Sequence, residues 1–109
     1  PIPVGPKAGK YIAVFMDQCV SGDIAYAIAD TPYGPFGEAV RFYRVPEAGE
    51  TVPDAKGGED TVFTYNAKAH PHLSKGSRLL ISYNTNIWNG ENTPYCYHPR
   101  FIWLDLETI

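Results

Sequence analysis

The sequence predicts an all-β chain of antiparallel meanders, and three observations carry that prediction. No stretch of strong helix formers repeats its apolar residues every 3.6 positions. Aromatics are abundant, with eight Tyr, five Phe and two Trp, and Pro and Gly number ten each. That mixture suits short strands joined by tight turns. Apolar runs of strand length are also bounded by turn formers along the chain. The 109 residues suffice for one small domain and are too few for two.

Residues 1–9 are rich in Pro and Gly and read as an incoming linker. Tyr11 to Met16 is a continuous apolar run, so it predicts a strand buried on both faces. Asp17 to Asp23 is its turn, and Ile24 to Ala29 is a second buried strand closing an antiparallel hairpin. Asp30 to Gly37 is dense in turn formers. Val40 to Val45 alternates in part and carries Arg41 and Arg44, as an edge strand blunted by charge does. Residues 46–60 hold five acids, one lysine and two prolines, and predict a solvent-exposed connector. The spacing of those acids does not match an EF-hand loop.

Thr61 to Thr64 leads into the most informative stretch, Tyr65 to His72, followed by a Lys75-Gly76-Ser77 turn and the strand Leu79 to Asn84. In an extended segment Asn66, Lys68, His70 and His72 share one face, and Tyr65, Ala67 and Ala69 share the other. Alanine is depleted in ordinary strands. Small residues here predict crowded backbones, and the polar row predicts something bound or satisfied. The loop from Thr85 to Pro99 carries Trp88, Tyr95, Tyr97 and His98. In the last segment Ile102, Leu104 and Leu106 take one face, while Phe101, Trp103 and Asp105 take the other.

The chain thus divides into a meander over 1–45, an exposed acidic connector over 46–60 and a second meander over 61–109. Antiparallel meanders repeated every roughly 40–50 residues are expected of propeller blades. A net charge of −3 without a basic patch argues against a nucleic-acid partner. No apolar run is long enough to insert into a membrane, and no signal peptide is present. The chain starts Pro-Ile-Pro and stops just after a strand-like segment, so both ends read as interruptions of a longer protein. Cys19 and Cys96 form either one disulfide of a secreted protein or two separate buried thiols, and both readings stand.

The segment Ile24–Ala29 followed by Asp30-Thr31-Pro32-Tyr33-Gly34-Pro35-Phe36 resembles a signature of five-bladed β-propellers. These are the folds of glycoside hydrolases of the arabinanase and xylosidase type. Tyr65 to Pro71 with Leu79 to Asn86, and Tyr97 to Ile102, are similar to the C-terminal blade of secreted propellers labelled as domains of unknown function. Part of that group is similar to endo-D-arabinanases. The likeness covers most of residues 11–106. It implies that 1–45 is part of the penultimate blade and 61–109 the C-terminal blade of a secreted, carbohydrate-active propeller. The implied activity is glycoside hydrolysis at furanosidic linkages, with a non-catalytic glycan-binding or surface-structure propeller as the alternative. The implied partners are carbohydrate and the remainder of the propeller, or a second chain completing it. An independent small β-sandwich with a Cys19–Cys96 bridge is a third architecture.

A glycosidase needs two carboxyl groups flanking the scissile bond. Asp17 and Asp23 sit at the ends of a hairpin turn and read as turn residues, and Asp105 reads as structural. The catalytic acids are therefore expected outside this stretch. The resemblance brings His70 near the central axis, as a binding group or as a structural imidazole. His70 and His72 offer two ligands from one strand face, but Pro71 intervenes and no carboxylate or thiol completes the set, so no metal and no cofactor is expected. Lys68 and Arg100 can bond sugar hydroxyls or hold a carboxylate ionised, and for Arg100 an inter-blade ion pair is preferred. Tyr83, Trp88, Tyr95 and Tyr97 present aromatic faces, with Tyr83 expected in packing and Trp88 against ligand. Asn66, Asn84 and Asn86 offer both donors and acceptors, or close turns. The expected substrate-binding set is His70, Lys68, Asn66, Asn84, Asn86, Trp88 and Arg100.

Overall fold

The computed structural model describes residues 1–90 and 96–109, among which there are strands and turns but no helix. Eight strands follow one another: β1 (Tyr11–Met16), β2 (Asp23–Ala29), β3 (Val40–Arg44), β4 (Thr51–Pro53), β5 (Glu59–Thr61), β6 (Phe63–Lys75), β7 (Arg78–Asn86) and β8 (His98–Asp105). They form a three-stranded sheet β1-β2-β3, a two-stranded sheet β4-β5 and a three-stranded sheet β6-β7-β8. Every pairing is antiparallel. The all-β expectation of antiparallel meanders is what the structure shows.

The two large sheets share one core. Met16 and Ile24 from the first sheet meet Leu79, Ile81, Tyr83 and Leu104 from the second, joined by Val45 and Leu106. Ile24 and Ile81 are completely buried. Period-two alternation makes this contact, because β7 turns Leu79, Ile81 and Tyr83 to the core and Leu80, Ser82 and Asn84 away from it. Residues 1–9 are more than a linker. Ile2 enters the core, and its backbone bonds to Lys10 and Gly9 close the segment into a loop. Gly5, at φ +87°, passes so near the Leu106 carbonyl that any Cβ would collide.

Strand β1 crosses β6 in the opposite direction. Thr64 at the start of β6 donates to the Met16 sulfur at the end of β1 over 3.9 Å. Tyr11 and Ile12, at the beginning of β1, line a small pocket with Pro71, Leu79 and Leu106. A polar clasp spans the two sheets at one end. The Tyr83 hydroxyl donates to Glu47 Oε2 at 2.9 Å, and Arg100 Nε lies 3.4 Å from Glu47 Oε1.

The 46–60 connector contains a small hairpin that its composition did not announce. Val52 of β4 is buried with Val62, Ile87 and Cys96 in a second, smaller cluster. Glu47 serves the clasp, while Asp54 and Asp60 satisfy backbone donors nearby: Asp54 Oδ1 accepts from the backbones of Lys56 and Gly58, and Asp60 Oδ2 accepts from Asn89 N at 2.8 Å. One buried valine between Thr51 and Pro53 is too short a signal to read as a strand. Cys96 belongs to this cluster whereas Cys19 lies exposed in the β1–β2 turn, so the two thiols occupy separate surroundings.

Candidate functional site

Strand β6 is an edge strand whose ladder with β7 is interrupted twice, and both interruptions shape the site. Tyr65 pairs with Asn84 and Lys68 with Ser82, so three steps on β6 match two on β7. The extra residue is a β-bulge in which Asn66 adopts φ +58°. Asparagine tolerates this left-handed conformation better than most residues because its short polar side chain bonds locally.

The bulge corrects the expected division of faces. Uninterrupted alternation sets Tyr65 opposite to Lys68 and groups Asn66 with the polar row. Cross-strand partners share a face, so Tyr65, Lys68 and His70 all stand with Asn84, Ser82 and Leu80. Asn66 is the exposed bulge residue, outside the row. Ala67 and Ala69 pack against the core, where the close approach of β1 leaves little room.

The second interruption falls between His70 and Lys75. Pro71 has no N–H to give the ladder. Ser74 fills the gap: its hydroxyl donates to the His70 carbonyl and accepts from Leu80 N, each at 2.9 Å. The His72 ring stays 6.1 Å from that of His70, edge-on.

The outer face of β6-β7-β8 is thereby organised in rows. One is Tyr65, Asn84 and Pro99, the next Lys68, Ser82 and Phe101, the next His70, Leu80 and Trp103. His70 Nε2 is 2.7 Å from Ser82 Oγ, a hydrogen bond whose direction follows the imidazole tautomer. Phe101 lies beside it, its ring 6.5 Å from that of His70. Lys68 is exposed with no ion-pair or hydrogen-bond partner among the described residues. The side-chain amides of Asn66 and Asn84 likewise make no hydrogen bond among those residues.

Beyond these rows stands an aromatic shelf. Trp88, 72% exposed, stacks on Phe63 with ring centres 4.3 Å apart, and Phe63 lies 5.6 Å from Tyr65. Asn86 is buried there, and its Oδ1 accepts from Ile87 N at 2.8 Å, closing the end of β7. Tyr97 is exposed, and Tyr95 lies outside the described residues. Phe63, Tyr65 and Ser82 join this face without having been singled out from sequence. The Phe63-x-Tyr65 spacing was a visible signal, but Ser82 was hidden inside an apolar strand.

Arg100 stands apart from the other candidates. It pairs with Tyr83 in register, on the core side of the sheet, where it meets Glu47. Tyr83 is 2% exposed, and burial first, then the Glu47 carboxylate, push its ionisation well above the ordinary tyrosine range. Asp17 Oδ2 is 2.6 Å from Arg41 Nε, and Asp23 Oδ2 is 3.3 Å from Arg44 Nη1. Asp105 Oδ1 accepts from Glu107 N at 3.0 Å. Asp30 is held below the usual carboxylate range by its hydrogen bond to Lys10. Among the described residues no group of three or more His, Cys, Asp or Glu is placed to hold a metal ion.

A family model described as a domain of unknown function, DUF5005, matches residues 2–105, so the chain belongs to that family. Comparison with curated proteins gives no match, and comparison with solved structures gives none either.

Proposed function

We propose that this DUF5005 member is part of a secreted, carbohydrate-active five-bladed propeller and that the β6 side of its second large sheet contacts glycan. The observation that carries this reading is the face ordered by the Asn66 bulge. Tyr65, Lys68 and His70 stand in one line beside the Ser82 hydroxyl and the unspent Asn84 amide, next to the Trp88–Phe63 shelf. Sugars ask for such a mixture, since rigid apolar area takes ring faces while amides and hydroxyls exchange hydrogen bonds with sugar hydroxyls.

In this reading residues 1–45 and 61–109 belong to successive blades. Inner strands of a propeller run in one direction, and β1 runs against β6. Strand β1 is then the second strand of its blade, its open edge awaiting a first strand, and β6 is innermost. Lys68 and His70 turn to the central funnel, while Trp103 on β8 offers packing area to a neighbouring blade. Glycosidic hydrolysis at furanosidic linkages falls to two carboxylates outside this stretch.

A non-catalytic glycan binder is the second reading, and one observation favours it. The face described above can hold a sugar without a carboxylate pair, and within this stretch Asp17, Asp23 and Glu47 are engaged by arginines. The test is incubation of the protein with arabinan and a panel of plant and bacterial glycans, reading reducing ends released and retardation in affinity gels. Release favours the enzyme. Retardation without release, lost on Trp88→Ala, favours the binder. No release and no retardation with any glycan refutes both.

A further inference from the structure

We infer that the glycan taken by this face is acidic, its carboxylate or sulfate ester meeting Lys68 and the Ser82–His70 pair. This inference rests on the glycan reading above and narrows it to one substrate class.

Lys68 is unusual among the cations of a chain that holds twelve acids and nine bases. Arg41, Arg44, Arg100 and Lys10 each have a carboxylate partner. Arg78 lies over the Trp103 ring at 5.0 Å, in the row that holds Asp105. Lys7 and Lys56 stand in turns and Lys75 at the end of β6. Lys68 alone is an exposed ammonium in the middle of a strand with no partner among the described residues.

Among the described residues, the sheet rows around it hold no negative charge. The rows of Tyr65, Lys68 and His70 contain no carboxylate, and the first on this face is Asp105, two rows beyond Lys68. An unneutralised lysine is readily solvated at a surface. Here, however, it adjoins a serine hydroxyl already bonded to an imidazole at 2.7 Å and a phenylalanine 57% exposed. A neutral sugar uses the hydroxyl and the ring but leaves the ammonium unused. A uronate or a sulfated sugar uses all three: the anion lies between Lys68 Nζ and Ser82 Oγ in charge-assisted hydrogen bonds, and the sugar's apolar side rests on Phe101.

The experiment is affinity electrophoresis and calorimetry of the protein against four probes: neutral arabinan, polygalacturonate, carboxyl-reduced polygalacturonate and sulfated galactan. Binding to polygalacturonate or sulfated galactan that exceeds binding to arabinan and to the reduced polymer is expected. The pair of acidic probes tells carboxylate from sulfate. Lys68→Gln is expected to weaken acidic-glycan binding about tenfold at low salt, and the effect shrinks as salt rises. Lys7→Gln removes the same charge from the N-terminal turn, outside the rows of this face, and should change nothing. Equal binding to polygalacturonate and its reduced form overturns this inference while sparing the glycan reading. So does acidic binding indifferent to Lys68→Gln. Absence of binding to all four probes, with the parent protein and Lys68→Gln both shown folded by circular dichroism, removes both.

Discussion

Replacing Tyr83 by Phe asks whether one buried hydroxyl fastens the two large sheets. Tyr83 is 2% exposed, and its O–H donates to Glu47 Oε2 at 2.9 Å. A hydrogen bond to a charged group contributes about 1.5–3 kcal/mol. Glu47 keeps Arg100 at 3.4 Å and retains some solvent access, so the lower end applies, about 1.5 kcal/mol. With a urea dependence of about 1.5 kcal/mol per molar for a chain of this size, the unfolding midpoint should fall by about 1 M. The alkaline limb supplies a second readout. Burial and then Glu47 raise the ionisation of Tyr83 above the ordinary tyrosine value, which is about 10. The unfolded chain therefore loses this proton first. The stabilisation is complete below about pH 10 and drains away as pH rises toward the folded-state value. The variant has no such proton, so the gap between the two proteins should narrow above about pH 10. A midpoint within about 0.2 M of the parent, with parallel alkaline limbs, would refute the clasp.

Asn66→Gly should leave the melting temperature unchanged or slightly raised, whereas Asn66→Ala should cost about 1 kcal/mol, because only the first accepts φ +58° freely. Thr85→Val should stabilise the protein by about 1 kcal/mol in urea titration. The Thr85 hydroxyl is buried without a hydrogen-bond partner among the described residues, and valine keeps its shape. Ile81→Ala, at a completely buried position in the shared core, should cost about 3–4 kcal/mol and broaden or abolish the unfolding transition.

The strands were legible wherever apolar runs met turn formers. Tyr11–Met16 keeps the bounds read from sequence but is an edge strand in which only Met16 is fully buried, whereas Ile24–Ala29, the central and more buried strand, gained only Asp23. The outward turn of Phe101 and Trp103, with Leu104 and Leu106 inward, was equally plain in the alternation. Long-range consequences were not legible. Ile2 looked like linker because nothing local distinguishes an apolar residue that returns to the core from one that does not. Val52 was lost among acids for the same reason, its partners Val62, Ile87 and Cys96 being distant in the chain.

The candidate site shows why a residue list survives better than its geometry. Period-two alternation is a strong rule until one residue is inserted, and then every side chain beyond it changes sides. Asn66 is such a residue, and its identity was a hint, since Asn among non-glycine residues best accepts positive φ. Reading it as a polar ligand concealed its backbone role. With the bulge in place, Tyr65 leaves the alanine side and joins Lys68 and His70, which turns a purely polar row into an aromatic and polar one. A flat polar strand edge binds water as well as it binds sugar. An aromatic ring in line with a hydroxyl, an imidazole and an ammonium discriminates between them, because only a sugar brings an apolar face together with its hydroxyls. The bulge is therefore the feature on which the glycan reading depends. Filling its left-handed position with a β-branched residue such as valine, which resists positive φ, should impair binding more than removing the Asn66 amide with glycine.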